Sequence, residues 1–170
     1  MVRAKELMEQ LELLPHPEGG FYKLVYKAAD TVLAPDRFET NDRIRSATTA
    51  IYYLLESGDF SAFHRIKSDE IWSFVEGAPV LIHILHSETQ RYSMMKLGEL
   101  KAGASPIIIV PFGAWFAAEV DGDDTYSLVN CFVSPGFEYS DFELAKREEL
   151  SGIFSEYKEI IARLTHPSVI

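Results

Sequence analysis

The stretch Phe60 to Gly77, FSAFHRIKSDEIWSFVEG, holds two short strand-like runs on either side of Lys67-Ser68-Asp69. Alternation with a period of two builds half-buried strands, and a short polar break between two of them builds a turn. The region is therefore constrained to a hairpin. One face of its first strand carries Phe60, Ala62, His64 and Ile66, and one face of its second carries Glu70, Trp72 and Phe74. If the two faces coincide, His64 and Glu70 form a titratable pair inside an aromatic pocket.

Similar short runs fill the middle of the chain: FYKLVYK, RSATTAIYYLL, PVLIHIL and RYSMMKL, then IIIV, WFAAEV and DTYSLVNCFV up to Ser134. Breaks such as Ser57-Gly58-Asp59 and Glu76-Gly77-Ala78-Pro79 suit hairpin connections. Many short strands with frequent turns predict a sandwich or barrel. The flanks differ. Ala4, Leu7, Met8, Leu11 and Leu14 fall at helical spacing and predict an amphipathic helix ending before Pro15. Ser140-Asp141-Phe142-Glu143 has the form of a capping box, and Leu150, Ile153, Phe154, Tyr157, Ile160, Ile161 and Leu164 make a helical apolar stripe. One or two C-terminal helices follow from that stripe. The segment Ala28 to Asp42 reads as a mobile loop.

At 170 residues, with 47% hydrophobic and 25% charged residues, the chain suits a single domain, 1–170, with a sizeable core. Sixteen basic against 26 acidic residues give a net charge of −10, which disfavours nucleic acid and anionic membranes as partners. Arg43 and Arg45, on alternate positions, read as a solvated strand edge. Cys131 is the sole cysteine, so an intramolecular disulfide is impossible and a buried, inert thiol is expected. Charged residues near the N-terminus stand where a secretory leader would be apolar, and a cytoplasmic location is the expectation.

The hairpin spacing resembles the first motif of the cupin superfamily, in which two histidines separated by one residue precede a glutamate and a glycine. Ile66 stands at the second histidine position. Pro111 and Gly113 resemble the second motif, with Phe116 at its histidine position. His16-Pro17-Glu18-Gly19-Gly20-Phe21-Tyr22 and Cys131-Phe132-Val133-Ser134-Pro135-Gly136-Phe137 resemble an uncharacterised single-domain branch with an HPEGG signature. The resemblance covers nearly the whole chain. It implies an all-β double-stranded β-helix, or jelly roll, with an N-terminal helix and one or two C-terminal helices, a cavity between its sheets and assembly as a homodimer. Of the four metal positions it implies, His64 and Glu70 remain and Ile66 and Phe116 replace the others, so neither metal nor other cofactor is expected. Members of the branch are similar in overall shape to sugar-nucleotide epimerases.

The residues then receive roles. His64 is the candidate base and Glu70 its orienting carboxylate, because an imidazole near neutrality suits proton abstraction. Trp72, Phe74 and Phe116 are candidate walls for a planar or partly apolar ligand, or else simple core. Glu18 either reaches the pocket mouth, as a substrate-binding residue, or pairs with an arginine such as Arg65. Tyr22, Tyr52 and Tyr126 are candidate acids or hydroxyl ligands, and parity does not choose among them. His83 suits either core or rim. The function expected is a small-molecule-binding protein, and, if catalytic, a metal-independent isomerase or epimerase of a sugar or nucleotide derivative. A metal-dependent oxygenase or isomerase and a non-catalytic binding or structural module are the alternatives.

Overall fold

The computed structural model describes residues 2–38, 43–101 and 103–167. Helix α1 (Val2–Gln10) leads into β1 (Leu14–Pro15), β2 (Phe21–Lys27), β3 (Thr31–Leu33), β4 (Ile44–Ser46) and β5 (Thr49–Glu56). Strands β6 (Phe60–Ile66) and β7 (Asp69–Gly77) follow, then β8 (Val80–His86), β9 (Arg91–Leu97) and β10 (Ile107–Val110). Strands β11 (Trp115–Val120), β12 (Tyr126–Ser134) and β13 (Phe142–Leu144) precede helices α2 (Arg147–Ile153) and α3 (Lys158–Arg163).

Two antiparallel sheets face one another. The larger has the order β1-β2-β5-β12-β7-β10 and the smaller β13-β6-β11-β8-β9, with β3 and β4 as a separate pair. The expected hairpin is not formed: β6 and β7 belong to different sheets and do not pair, and the breaks after β5 and β7 likewise carry the chain from one sheet to the other, because successive strands from β5 to β8 alternate between the two layers of the sandwich. Alternation sorts the side chains into three layers. Tyr53, Trp72, Ile82, Ile84, Phe116, Val129 and their neighbours fill the space between the sheets. Leu54 and Leu128 point outward from the large sheet and bury Ala4 and Leu7 of α1. Phe63, Leu85, Trp115 and Ala117 point outward from the small sheet against Leu150, Phe154, Ile161 and Leu164 of the C-terminal helices. Among the described residues, no helix is long and apolar enough to cross a membrane.

The flanks depart from expectation in four places. The first helix stops at Gln10, and Leu14, counted on its apolar stripe, is an exposed residue of β1. Ser140-Asp141-Phe142-Glu143 does not open a helix: Tyr139–Asp141 is a 3-10 turn, and β13 then pairs Phe142 with Ile66 and Leu144 with His64. Asp141 is occupied elsewhere, because Arg45 donates to both its oxygens at 2.7 and 3.0 Å. Arg45 is therefore a buried ion-pair residue rather than part of a solvated edge. In the segment 28–42, β3 and a 3-10 turn over Asp36–Phe38 supply regular structure, and Phe38 is fully buried. Residues 39–42 of that expected loop lie outside the described residues.

Candidate functional site

The HPEGG turn between β1 and β2 is held from several sides. Gly19 has φ +116°, and a β-carbon there would stand 2.0 Å from the Phe60 carbonyl oxygen, so only glycine fits. Tyr53, fully buried, donates its hydroxyl to the Gly19 carbonyl at 2.8 Å. The Glu18 carbonyl accepts from the Ala62 amide at 2.8 Å and lies 3.1 Å from His166 Nε2. The Glu18 side chain is thereby aimed between the sheets.

Three groups converge on that carboxylate. Ser61 donates to Oε1 at 2.9 Å, His64 Nε2 lies 3.2 Å from Oε2, and His16 Nδ1 lies 3.4 Å from the same oxygen. Across the ring, His64 Nδ1 lies 2.8 Å from the Ala62 carbonyl oxygen. A carbonyl can only accept, so Nδ1 carries the hydrogen and Nε2 is the nitrogen turned to the carboxylate. The Ala62 carbonyl therefore fixes the hydrogen on Nδ1, and Glu18 holds the direction of Nε2. Arg65, its other anticipated partner, bonds Glu143 instead at 2.7 Å.

Ser61 reaches Glu18 because β6 is irregular. Phe116 pairs with His64 and Ala118 with Ser61, so two steps along β11 match three along β6. The extra residue is a β-bulge, which shifts the phase of the strand and lets residues three apart serve one target. It also turns Phe60 away from the cavity, toward the layer under the C-terminal helices.

A cavity of about 210 Å³ opens beside this cluster. Glu18 and His16 line it from the turn, Tyr22, Leu24 and Lys27 from β2, Thr49 and Ile51 from β5, and His64 and Ile66 from β6. Glu70 enters from β7, Cys131 and Val133 from β12, and Phe137, Glu138, Tyr139 and Phe142 from the segment leading into β13. Its mouth is spanned by Tyr22 and Tyr139, whose hydroxyls are 3.3 Å apart, and by an ion pair from Lys27 to Glu138 at 2.7 Å.

His64 and Glu70 thus line one cavity from opposite sheets, but no hydrogen bond or ion pair joins them among the described residues. Burial, then the negative charge of Glu18, push the Glu70 carboxyl up to about 8, although the Cys131 thiol and Trp72 indole oppose the rise. Burial also holds His16 below the usual imidazole range, against the pull of Glu18. Cys131 is a buried free thiol raised well above the ordinary thiol range by burial, which suits an inert role.

The anticipated aromatic wall lies elsewhere. Trp72 and Phe116 are fully buried in the filled half of the sandwich, with Phe74 packed against it. Phe116 touches the His64 ring from behind, at 4.1 Å between centroids. Besides His64, the rings that line the cavity are those of His16, Tyr22, Phe137, Tyr139 and Phe142. Tyr52 points the other way, against the layer beneath α1, and Tyr126 bonds Glu76 there at 2.7 Å. Tyr22 is the anticipated tyrosine that reaches the cavity. His83 sits outside it, 2.7 Å from the Tyr92 hydroxyl and 2.9 Å from Glu119. Burial alone would raise Glu119, but hydrogen bonds from His83 and Arg163 bring it down to about 2.

Residues 5–145, spanning both sheets and the turn, match the family described as Cupin superfamily (DUF985). The chain belongs to the cupin superfamily. A hypothetical protein from Leishmania major is 33% identical with a TM-score of 0.88, over 96% of this cupin and 99% of that chain. A crystal structure of a Shewanella oneidensis protein is 35% identical with a TM-score of 0.85, over 97% and 98% of the two chains. Oxalate decarboxylase from Bacillus subtilis, at 15% identity and a TM-score of 0.54, covers 88% of this cupin with 36% of its own length and shares the fold alone. No curated protein matches the sequence. The facing sheets are the cupin jelly roll expected from the eroded motifs.

The donor set of this cupin does not fit the metal that its fold family commonly holds. Divalent first-row ions want three or more protein donors in a tight shell. Ile66 and Phe116 offer none at two of the family's positions, and both nitrogens of His64 already face protein oxygens. Among the described residues, no group of three or more His, Cys, Asp or Glu is arranged to hold an ion.

Proposed function

We propose that this cupin binds a small molecule between its sheets and moves a proton on it, as an isomerase or epimerase of a sugar or nucleotide derivative does. The observation that carries the reading is His64, anchored through Nδ1 and aligned by Glu18 at a cavity wall. With Nδ1–H held by the Ala62 carbonyl and Nε2 turned to Glu18, the imidazole and the carboxylate act as one unit that takes up a single substrate proton, and general bases contribute about 10²–10⁴-fold to proton-transfer rates. Glu18 takes the place beside His64 that was expected of Glu70. Tyr22 and Tyr139 supply hydroxyls at the mouth for the opposite side of the substrate. Burial first, then the hydrogen bond with Tyr22, raise Tyr139 to about 12, which keeps it protonated as a donor.

Gentle purification followed by native mass spectrometry identifies a retained metabolite. Incubated with the protein in D₂O, that metabolite is expected to gain deuterium at carbon, and His64→Ala to abolish the gain. Exchange unaffected by His64→Ala in a folded variant defeats the catalytic reading. Binding without turnover is the second reading, favoured by the 2% exposure of His64, and a bound metabolite that never exchanges would establish it.

A homodimer belongs to the same proposal. On the outer face of the large sheet α1 covers Leu54 and Leu128, and beyond it runs an apolar row set by strand register. Ile109 pairs with Ile71, Ile71 with Phe132, Phe132 with Ala50 and Ala50 with Tyr26. Ile109, Phe132 and Tyr26 are 58%, 38% and 54% exposed. A contiguous apolar strip across five strands suits a two-fold contact between copies. A cytoplasmic location completes the reading, supported by a lone, unpaired thiol.

A further inference from the structure

The charges around the cavity are unevenly distributed. Glu18 and Glu70 stand in its interior, and the lysine that lines it, Lys27, is at the mouth and tied to Glu138. Glu70 is 8% exposed, and among the described residues no basic side chain pairs with it. Phe137, Tyr139 and Phe142 form a trio with centroids 5.2 to 6.4 Å apart. Aromatic faces attract cations, and buried carboxyls repel anions strongly where water is scarce.

We propose that the cavity takes a small organic cation, with an ammonium-type group against the Glu70 carboxyl and its carbon skeleton among Tyr22, Phe137, Tyr139 and Phe142. The inference rests on the cavity being the ligand site, and it narrows the ligand to amine-bearing molecules such as amino sugars. The net charge of −10 draws such molecules in. Burial and Glu18 keep Glu70 protonated at neutral pH, so the arriving ammonium displaces that proton. Glu70 passes from acid to carboxylate, one proton leaves for solvent, and the positive charge of the ligand replaces it. The groups around Glu70 that bear on this exchange are Glu18 and His16 from the turn, His64 from β6 and Cys131 from β12, with Lys27 and Glu138 at the mouth. The paired strand β10 adds none, since it places Val110 opposite Glu70.

Benzylamine, benzyl alcohol and benzoate share one skeleton and differ in charge, so calorimetry with the three probes tests the assignment on the intact protein. Benzylamine is expected to bind at least tenfold more tightly than benzyl alcohol, and benzoate not at all. Titrations in buffers of different ionisation enthalpy should give close to one proton released per benzylamine at pH 7. Affinity should rise about tenfold per pH unit from 6 toward the Glu70 midpoint. Glu70→Gln, near-isosteric, should erase both the preference and the proton release while the melting transition persists. Benzyl alcohol or benzoate binding as tightly as benzylamine overturns the cation assignment and leaves the cavity as a ligand site. No binding by any of the three overturns the cation assignment and counts against the cavity itself.

Discussion

Ser61 donates to Glu18 across 43 positions of sequence, at 2.9 Å, and is completely buried in doing so. That bond holds the carboxylate that in turn aligns His64. A hydrogen bond to a charged group typically contributes about 1.5–3 kcal/mol, and more is lost when the remaining partner stays buried. Ser61→Ala is expected to lower stability by about 2 kcal/mol in chemical denaturation. It should also weaken ligand-dependent deuterium exchange, because Glu18 is left to drift. A variant with unchanged stability and exchange would remove Ser61 from the site.

The raised Glu70 carboxyl predicts a pH dependence of stability. In the unfolded chain the group titrates near its ordinary value of 4.5, and in the fold near 8. Between those values the folded state holds one more proton than the unfolded state, so stability falls as pH rises. The contribution is full below pH 4.5, is lost through pH 8, and has a limiting slope of about 1.4 kcal/mol per unit. Urea denaturation across this window should show the decline, and Glu70→Gln should flatten it. Parallel profiles for wild type and variant would place Glu70 outside this linkage.

Arg45 and Asp141 form a bidentate pair that is 4% exposed on both sides. It fastens β4 to the 3-10 turn that carries Tyr139 over the cavity. Removing one partner of a buried pair leaves an uncompensated charge and costs about 3–5 kcal/mol. Asp141→Asn is accordingly expected to destabilise by an amount in that range, read from denaturant midpoints. Asp141→Asn with an unchanged midpoint would mean that the pair is not what secures the segment.

The apolar row on the large sheet makes association testable. Phe132→Lys places a charge at its centre, opposite both Ile71 and Ala50. Light scattering is expected to give twice 19.2 kDa for the wild type and the single value for the variant, with the circular dichroism spectrum unchanged. A wild type that is monomeric at all concentrations would refute the dimer.

Much of the sandwich was legible because short apolar runs bounded by turn residues mark β5, β8, β11 and β12, and because helical stripes mark both flanks. His64, Glu18 and Glu70 could be named as lining candidates, since polar groups stand out on apolar faces or in a turn rich in glycine. Their connections could not. The bulge in β6 reverses the parity of Ser61 and Phe60, and nothing in the local pattern announces an extra residue. The pairing of His64 with Glu18 joins elements 46 residues apart, where alternation carries no information. The stretch from Phe137 to Phe142 was hidden for another reason: a serine and an aspartate at capping spacing imitate a helix start, whereas Asp141 is claimed by a distant arginine. Trp72 and Phe116 illustrate the limit on aromatic residues, because rings that fill an interior and rings that wall a hollow have the same alternation.

The interior between the sheets is solid at one end and open at the other. Trp72, Phe116, Ile82 and Ile84 anchor the solid end, while the walls of the open end come largely from the HPEGG turn, β2 and the segment leading into β13. Structural integrity and ligand choice are consequently assigned to different residues. Diversification among relatives can proceed at Tyr22, Leu24, Phe137 and Tyr139 without disturbing the keel on which the barrel rests.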